Sequence, residues 1–236
     1  MYENIFLIPA RSGSKGVVDK NVQMIGSRSL INWAVEFACV NDCLRGVRNQ
    51  GVYLSTDSQK YLESVINKKC KNLGLRPNSL SGDSALTRDV IKDFLKSYQE
   101  KFNKLPHVLT LLQPTSPLRT TELLQKCIDQ CVQHKATVTT IKEFAEPHPY
   151  KLLTKDEDNY IKPFITNSDL GTPRQSLPKV YNFTGAIYCY WVETIISENA
   201  NDYMVGVEQE KFVNIDTYDD LDYARYLYNT GKFENV

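Results

Sequence analysis

Residues 5–16 read Ile-Phe-Leu-Ile-Pro-Ala-Arg-Ser-Gly-Ser-Lys-Gly, a compact apolar run followed by a polar loop with two glycines. Such a run is typical of a strand that is buried on both faces of a sheet. Outward from it, similar short runs recur at 52–55, 108–112 and 136–141, and longer stretches with helical spacing separate them. This alternation predicts an α/β fold with a doubly wound, mostly parallel sheet that carries helices on both faces.

The alternation breaks between residues 144 and 183, which contain five prolines and little periodicity. A structureless loop of this length is uncommon inside a compact domain. We therefore predict a single domain over 1–236 in which 144–183 is an inserted arm. A floppy insertion and an arm that meets a second subunit are the two interpretations of this segment.

The composition narrows the class of protein. Lys plus Arg and Asp plus Glu balance at 28 each, so no overall field favours nucleic acid or an acidic membrane as a partner. No segment approaches the roughly 20 apolar residues that cross a bilayer, and the first residues lack the basic region of a signal peptide. We expect a cytoplasmic protein with reduced cysteines. Cys127, Cys131 and His134 can share a helix face, and packing is favoured there over a metal site.

Ligands of open α/β sheets bind beyond the carboxyl ends of the strands, so the first candidate is the loop after the run at 5–9. This loop contributes Arg11, Lys15 and Lys20, a set of cations suited to a triphosphate. Gly13 and Gly16 would let backbone amides approach a ligand closely. The loop matches neither the P-loop nor the dinucleotide fingerprint, and a solvated turn is the alternative interpretation.

The second candidate follows the run at 108–112, where two prolines fix the backbone of a polar turn. Its hydrogen-bonding side chains are Gln113, Thr115, Ser116 and Arg119. Their density at the end of a strand predicts a ligand contact. A rigid turn with Thr120 or Thr121 capping the next helix is the alternative.

The third candidate is the segment 213–217, where period-two alternation turns Asn214 and Asp216 toward the same side. Paired oxygen ligands suit Mg²⁺, which a nucleoside triphosphate would bring with it. Asp216 as the cap of a helix that begins near residue 218 is the alternative.

With these loops in order, the chain resembles the acylneuraminate cytidylyltransferases (CMP-sialic acid synthetases), which include enzymes for bacterial relatives such as legionaminic acid. The resemblance runs nearly end to end. The motifs that carry it are IPARSGSKG at 8–16 with Lys20-Asn21, LSTD at 54–57, RP at 76–77, LSGD at 80–83, LQPTSPLR at 112–119, HP at 148–149, PRQ at 173–175, GAIY at 185–188 and IDT at 215–217.

The resemblance implies a Rossmann-like nucleotidyltransferase that joins CMP from CTP to the anomeric hydroxyl of a nonulosonic, sialic-acid-like sugar and releases pyrophosphate. It also implies a homodimer in which the 144–183 arm crosses to the partner. A cytidylyltransferase for another 2-keto-3-deoxy acid, such as an octulosonic acid, is the alternative among enzymes. Those relatives lack the Gly-Ser-Lys-Gly form of the first loop. A nucleotide-binding homologue with impaired turnover is the alternative from a different class.

By position, the resemblance implies catalytic roles for Arg11, Lys15 and Asp216, with Lys15 neutralising the leaving pyrophosphate and Asp216 holding Mg²⁺. The implied nucleotide contacts are Arg11, Lys15, Lys20, Asn21, Arg76, Ser81, Ala85 and Thr87. The implied sugar contacts are Gln113, Lys151, Arg174 and Thr184. Lys151 and Arg174 suit the sugar carboxylate, which arginine can bind with both arms of its fork.

Three departures from the family pattern are informative. Asn214 stands where the family usually has the first of two aspartates, so weaker Mg²⁺ binding is expected, since an amide oxygen carries no charge. Thr184 replaces the usual asparagine before Gly185, and Asn182 replaces an arginine. These latter changes fall where the acyl sugar is expected, which leaves the choice of acceptor open.

Overall fold

The computed structural model describes residues 1–144, 146–166, 169–197 and 203–235. Its strands are β1 (Tyr2–Pro9), β2 (Met24–Ile25), β3 (Arg28–Ser29), β4 (Val47–Ser55), β5 (Cys70–Lys71), β6 (Val108–Leu111), β7 (Thr137–Glu143), β8 (Leu153–Lys155), β9 (Ile161–Pro163), β10 (Tyr181–Trp191) and β11 (Met204–Glu208). Its α-helices are α1 (Leu30–Val40), α2 (Gln59–Glu63), α3 (Thr87–Phe102), α4 (Thr121–His134), α5 (Val192–Ile196) and α6 (Tyr218–Asn229). Short 3₁₀ helices lie at Lys20–Val22, Asn78–Leu80, Pro149–Lys151 and Arg174–Ser176.

Seven strands form the central sheet in the order β11–β7–β10–β6–β1–β4–β5. All neighbours in this sheet are parallel except β10, which runs antiparallel to both β6 and β7. The predicted doubly wound, mostly parallel sheet is therefore confirmed. Because β10 runs the other way, its residues before Tyr188 pass the carboxyl end of β6, where ligands of such sheets bind.

Helices cover both faces of the sheet, as expected from the continuous apolar run of β1. Phe6 and Ile8 pack into a core cluster with α1 and α4, whereas Ile5 and Leu7 pack on the opposite face with α3 and α5. Alternate residues of one strand thus serve both layers. Cys127 and Cys131 are fully buried in the first of these clusters, while His134 is exposed at the end of α4.

A third core cluster holds α6 and the segment before it against the first loop. It contains Val17 of that loop, Val213 and Ile215 of the segment 213–217, and Leu221 of α6, all buried. Two of the predicted site segments are therefore joined by apolar packing as well as by polar contacts. This packing stabilises their relative position.

The inserted segment is shorter than the predicted arm of residues 144–183. β7 ends at Glu143 and β10 begins at Tyr181, so residues 181–183 pair with β7 in the central sheet rather than with the arm. Between them, β8 and β9 form a separate two-stranded antiparallel hairpin. Strands of three residues carry too few alternations for the hydrophobic pattern to reveal them.

Among the described residues, the helices are all too short or too polar to cross a membrane.

Candidate active site

A cleft of about 390 Å³ opens beyond the carboxyl ends of β1 and β6. Of the residues to which the resemblance assigns a role, nine line it: Arg11, Lys15, Lys20, Asn21, Arg76, Ala85, Thr87, Gln113 and Asp216. The other five predicted residues lie outside its wall: Ser81, Lys151, Arg174, Thr184 and Asn214. The structure thus brings all the predicted nucleotide residues except Ser81 together in one place, while the predicted sugar residues other than Gln113 lie elsewhere in the chain.

The first loop is anchored at both ends by hydrogen bonds. The carboxylate of Asp57, at the end of β4, accepts from the backbone N–H of Ser12 at 2.8 Å and from its hydroxyl at 2.5 Å. Partial burial raises the pKa of Asp57, but the hydrogen bonds from Ser12 outweigh it and hold the pKa below its usual value. The side-chain amide of Asn21 donates to the carbonyl of Arg11 at 2.9 Å. The loop is therefore held in shape without a ligand.

Gly16 lies where the first loop touches the segment 213–217. A Cβ atom at this position would overlap the backbone carbonyl oxygen of Asp216. On its other side, this segment donates a hydrogen bond from Ile215 N–H to the carbonyl of Thr115 at 2.8 Å. All three predicted loops are consequently in direct backbone contact around the cleft.

Each of the three cations of the first loop has an acidic partner. Lys20 Nζ lies 2.8 Å from Asp216 Oδ1, and its side chain is only 15% exposed. Arg11 Nη2 and Lys15 Nζ lie 2.6 Å from Oδ1 and Oδ2 of one carboxylate, that of Asp83. Hydrogen bonds from Lys15 and Arg11 hold the pKa of Asp83 below its usual value. The three cations and their acidic partners all line the cleft.

Asp83 is a charged residue of the cleft to which the sequence analysis assigned no role. It was visible only as the last position of the motif at 80–83. A single acidic residue in a loop gives no sign that it will reach two cations more than 60 positions away. Its distance in sequence from Arg11 is 72 residues, so the contact depends on tertiary structure alone.

Arg76 is the fourth cation that lines the cleft. Its side chain is almost completely buried, and Nη2 donates to the carbonyl of Ser55 at 3.2 Å. Its Nε has no hydrogen-bond partner among the described residues. Burial lowers the pKa of Arg76, and the nearby charge of Asp57 opposes that effect. A buried guanidinium with unused donors at a cleft wall suits a polar ligand group.

Helix capping does not account for Asp216. Thr217 is the N-cap of α6 and forms a capping box with Asp220. The carboxylate of Asp216 instead pairs with Lys20 and accepts a hydrogen bond from the amide of Asn214 at 2.7 Å. The predicted pairing of Asn214 and Asp216 on one side is therefore correct, and the capping alternative for Asp216 is wrong.

The donors at this segment fit a magnesium ion only in part. Asp216 offers a carboxylate that is 64% exposed on its side chain, and Asn214 offers an amide oxygen that accepts from Ser116 Oγ at 3.1 Å. The described residues contain no group of three or more His, Cys, Asp or Glu side chains that could hold a metal. Mg²⁺ usually binds through one or two carboxylates together with substrate phosphates and water. The residues fit such an open site, in which a ligand supplies the remaining oxygens.

Arg119 does not present its side chain to a ligand as the pattern predicted. It is only 1% exposed, and Nε donates to the carbonyl of Ala186 at 2.8 Å while Nη2 donates to the carbonyl of Gln113. It therefore ties the turn after β6 to β10. Thr120 caps α4, as the alternative interpretation of the turn proposed.

Gln113 keeps its place at the cleft because β10 bulges beside it. The register of β10 against β7 shifts between Phe183 and Tyr188. Within this bulge Gly185 has a φ of +73°, and a Cβ there would lie 2.8 Å from Gln113 Oε1 and 2.6 Å from Ser116 Oγ. A glycine is thus required both for the backbone conformation and for the contact.

The same bulge explains why Thr184 is absent from the cleft. Its hydroxyl lies in the core within 2.6 Å of Thr140 Oγ1 and of Gln209 Oε1, and the residue is fully buried. A sugar contact for Thr184 does not fit this arrangement. The insertion that turns its side chain inward is a property of strand pairing, which the local sequence does not reveal.

The two predicted sugar cations lie in the arm. Lys151 Nζ donates to the carbonyls of Leu170 and Thr172, the latter at 2.7 Å, and so ties the loop after β9 to the preceding 3₁₀ helix. Arg174 Nη1 lies 3.2 Å from Glu146 Oε1 on the surface. Ser81 also turns away from the cleft, because its hydroxyl donates to the carbonyl of Pro77 at 3.0 Å.

Comparison with known proteins places the chain in a family. A family model described as cytidylyltransferase matches residues 5–227. An N-acylneuraminate cytidylyltransferase from Streptococcus agalactiae is 29% identical over 92% of the chain and 51% of its own length. The chain therefore spans about half the length of that relative. A pseudaminic acid cytidylyltransferase from Campylobacter jejuni is 26% identical over 97% of both chains.

A solved structure shares the fold. It is a CMP:2-keto-3-deoxy-manno-octonic acid synthetase in complex with CTP, with a TM-score of 0.68 and 16% sequence identity over 97% of this chain and 99% of the other. At this identity the likeness concerns the fold alone.

Proposed function

Because the chain belongs to the cytidylyltransferase family, we propose that it transfers CMP from CTP to the anomeric hydroxyl of a nonulosonic acid and releases pyrophosphate. The observation that carries the proposal is the cleft in which Arg11, Lys15, Lys20 and Arg76 meet. Among the described residues, these four cations and only two carboxylates, Asp83 and Asp216, line the cleft, so the cleft suits a ligand with several negative charges. The motifs that the chain shares with the acylneuraminate enzymes favour the same activity.

The first loop is proposed to grip the triphosphate. Its backbone shape is fixed by Asp57 and Asn21 before a ligand arrives, so little ordering cost remains for binding. Arg11 offers a planar fork for phosphate oxygens, and Lys15 offers a point charge for the leaving pyrophosphate. The base is proposed to lie between Arg76 and the loop at 80–85, near Thr87.

In the reaction, a bond forms between the anomeric oxygen of the sugar and the α-phosphorus, and the bond from that phosphorus to the bridging oxygen of the pyrophosphate breaks. The proton of the anomeric hydroxyl is released to solvent. Two things make this displacement fast: reactants that are held in line, and charges that are fixed where negative charge develops. Gln113, at the cleft wall beside the bulge of β10, is proposed to position the sugar. Lys15 and Arg11 are proposed to stabilise the charge that accumulates on the departing phosphates.

Mg²⁺ is proposed as the cofactor, held by Asp216 and, more weakly, by Asn214. When bound with the triphosphate it would polarise the α-phosphate and could lower the pKa of the attacking hydroxyl. Lys20, which pairs with Asp216 at 2.8 Å, keeps the carboxylate oriented at the cleft wall. We place the reaction in the cytoplasm, where CTP is made available by nucleotide metabolism.

Replacement of Asn214 by aspartate is expected to lower the Mg²⁺ concentration for half-maximal rate about threefold to tenfold, since a second carboxylate adds charge to an oxygen-ligand site. The amide that now donates to Asp216 would be replaced by a ligand oxygen. Asn229→Asp, which adds the same charge at the exposed end of α6, is the control. An unchanged magnesium requirement in Asn214→Asp would contradict the proposed metal role.

The arm is proposed to meet a second copy of the chain. Tyr160, Ile161 and Phe164, on and beside β9, are 62–74% exposed, and clustered apolar exposure of this kind marks interaction surfaces. Lys151 and Arg174 do not line the cleft of their own chain. Their predicted contact with the sugar carboxylate is therefore proposed to be made across the dimer, in the cleft of the partner.

The proposal is tested by pyrophosphate release. We expect release from CTP only in the presence of an acceptor, in a panel that contains sialic, legionaminic, pseudaminic and octulosonic acids. Release with an octulosonic acid alone would favour the alternative acceptor class. CTP binding without release for any acid would favour a nucleotide-binding homologue with impaired turnover.

A further inference from the structure

Asp83 is the one carboxylate in the cleft that pairs with two phosphate-gripping cations at once. Its two oxygens lie 2.6 Å from Arg11 Nη2 and 2.6 Å from Lys15 Nζ. The carboxylate therefore occupies the position in which a phosphate group bound by these two cations would lie. Its side chain is 46% exposed, so solvent and ligands can reach it.

The pair links two different walls of the cleft. Arg11 and Lys15 belong to the loop after β1, whereas Asp83 belongs to the loop at 80–85, which is proposed to receive the base. Gly82 precedes Asp83, has no atom near its missing Cβ, and so places little steric restraint on this loop. The hydrogen bonds of the loop are local: Ser81 donates to Pro77, and Ala85 donates to Gly82. Among the described residues, the two ion pairs are thus the polar contacts that connect this loop, here called the base loop (80–85), with the first loop (10–21), here called the phosphate loop.

We propose that Asp83 is a displaceable internal counter-ion, which closes the base loop on the phosphate loop and is expelled by a ligand that carries a chain of phosphates. The inference rests on the proposed function only in naming a nucleoside triphosphate as the natural ligand. A single phosphate that binds to Arg11 and Lys15 only replaces the carboxylate of Asp83 with another anion. A triphosphate carries more negative charges than the carboxylate, so it can replace both ion pairs and still form further contacts with the cations of the cleft.

This arrangement makes Asp83 a determinant of specificity for the proposed reaction. Nucleosides and monophosphates leave the counter-ion in competition for Arg11 and Lys15. After transfer, the departing pyrophosphate is replaced at the same two cations by the carboxylate that it displaced. Asp83 thereby weakens the binding of both the triphosphate substrate and the pyrophosphate product. The weaker binding favours release of the product.

The experiment is calorimetric titration of the chain with inorganic tripolyphosphate, which requires neither base nor sugar. Asp83→Asn is expected to bind tripolyphosphate about fivefold to tenfold more tightly than the unaltered chain, because a competing charge near both cations is removed. Asp89→Asn, in the first turn of α3, removes the same charge from an exposed position without an ion pair among the described residues. It is expected to bind as the unaltered chain does.

Unchanged or weaker binding of tripolyphosphate by Asp83→Asn would overturn the proposal. An equal gain in Asp89→Asn would also overturn it, since the effect would then come from net charge alone. The outcome is separate from that of the proposed function. Tighter binding in a chain that makes no CMP adduct would leave the counter-ion role standing, and an active chain with unchanged binding would remove only that role.

Discussion

The Lys15→Gln variant is expected to lose about 100-fold to 1,000-fold in kcat, the range seen when one preorganised charge or donor is removed from a transition state. Lys15 lines the cleft and is 84% exposed on its side chain, with Asp83 as its ion-pair partner. Its replacement removes no core contact, so the melting temperature is expected to stay unchanged. The loss should appear in kcat more than in KM, because the charge on the leaving pyrophosphate develops during the reaction.

Lys60→Gln is the matched control for this prediction. Lys60 also pairs with an aspartate, Asp19, at 2.7 Å, and is 69% exposed. Neither residue of that pair lines the cleft. Pyrophosphate release and thermal unfolding would be measured for both variants. Equal rates for Lys15→Gln and Lys60→Gln would show that the position of Lys15 in the cleft has no part in the chemistry.

Gly16→Ala is expected to lower kcat/KM about 100-fold, the size of effect that a shift of roughly 1 Å in catalytic geometry produces. A Cβ at Gly16 would overlap the carbonyl oxygen of Asp216, and backbone atoms on both sides must then move. The displaced parts would be the phosphate loop and the proposed metal segment. The change therefore separates the two halves of the site without removing a functional side chain.

Gly13→Ala tests whether the Gly16 effect is specific. Gly13 lies in the same loop and has no atom within 4 Å of its missing Cβ. Its φ of +72° makes alanine costly by about 1–2 kcal/mol in the left-handed region. This variant should unfold at lower denaturant concentration yet keep most of its kcat/KM. If both variants lose activity equally, the contact between Gly16 and Asp216 is not what matters.

The fold, and the place of several predicted residues at one cleft, could be predicted from short stretches of sequence. The apolar run at 5–9 alternates between two helix layers, and the carboxyl ends of parallel strands converge on one edge. Arg11, Lys15 and Lys20 lie in the loop after β1, Gln113 lies just after β6, and all four line the cleft. The dimer, the metal and the individual site roles remain predictions.

What could not be predicted depends on tertiary detail. Arg119 turns into the core because two backbone carbonyls lie there, at Gln113 and Ala186. Thr184 lies in the bulge of β10. There the register against β7 shifts by three residues between the pairs Phe183–Ile141 and Tyr188–Thr139, and the side chain of Thr184 turns inward. Asp83 meets its cations only through packing of distant loops. None of these contacts leaves a periodic or compositional mark on the sequence.

The mass of the product formed from CTP and a nonulosonic acid tests the central proposal most directly. The expected product has the mass of CTP plus the acid minus pyrophosphate, and it should accumulate with the unaltered chain and only slowly with Lys15→Gln. A chain that binds CTP but gives no CMP adduct with any 2-keto-3-deoxy acid would contradict the proposed function.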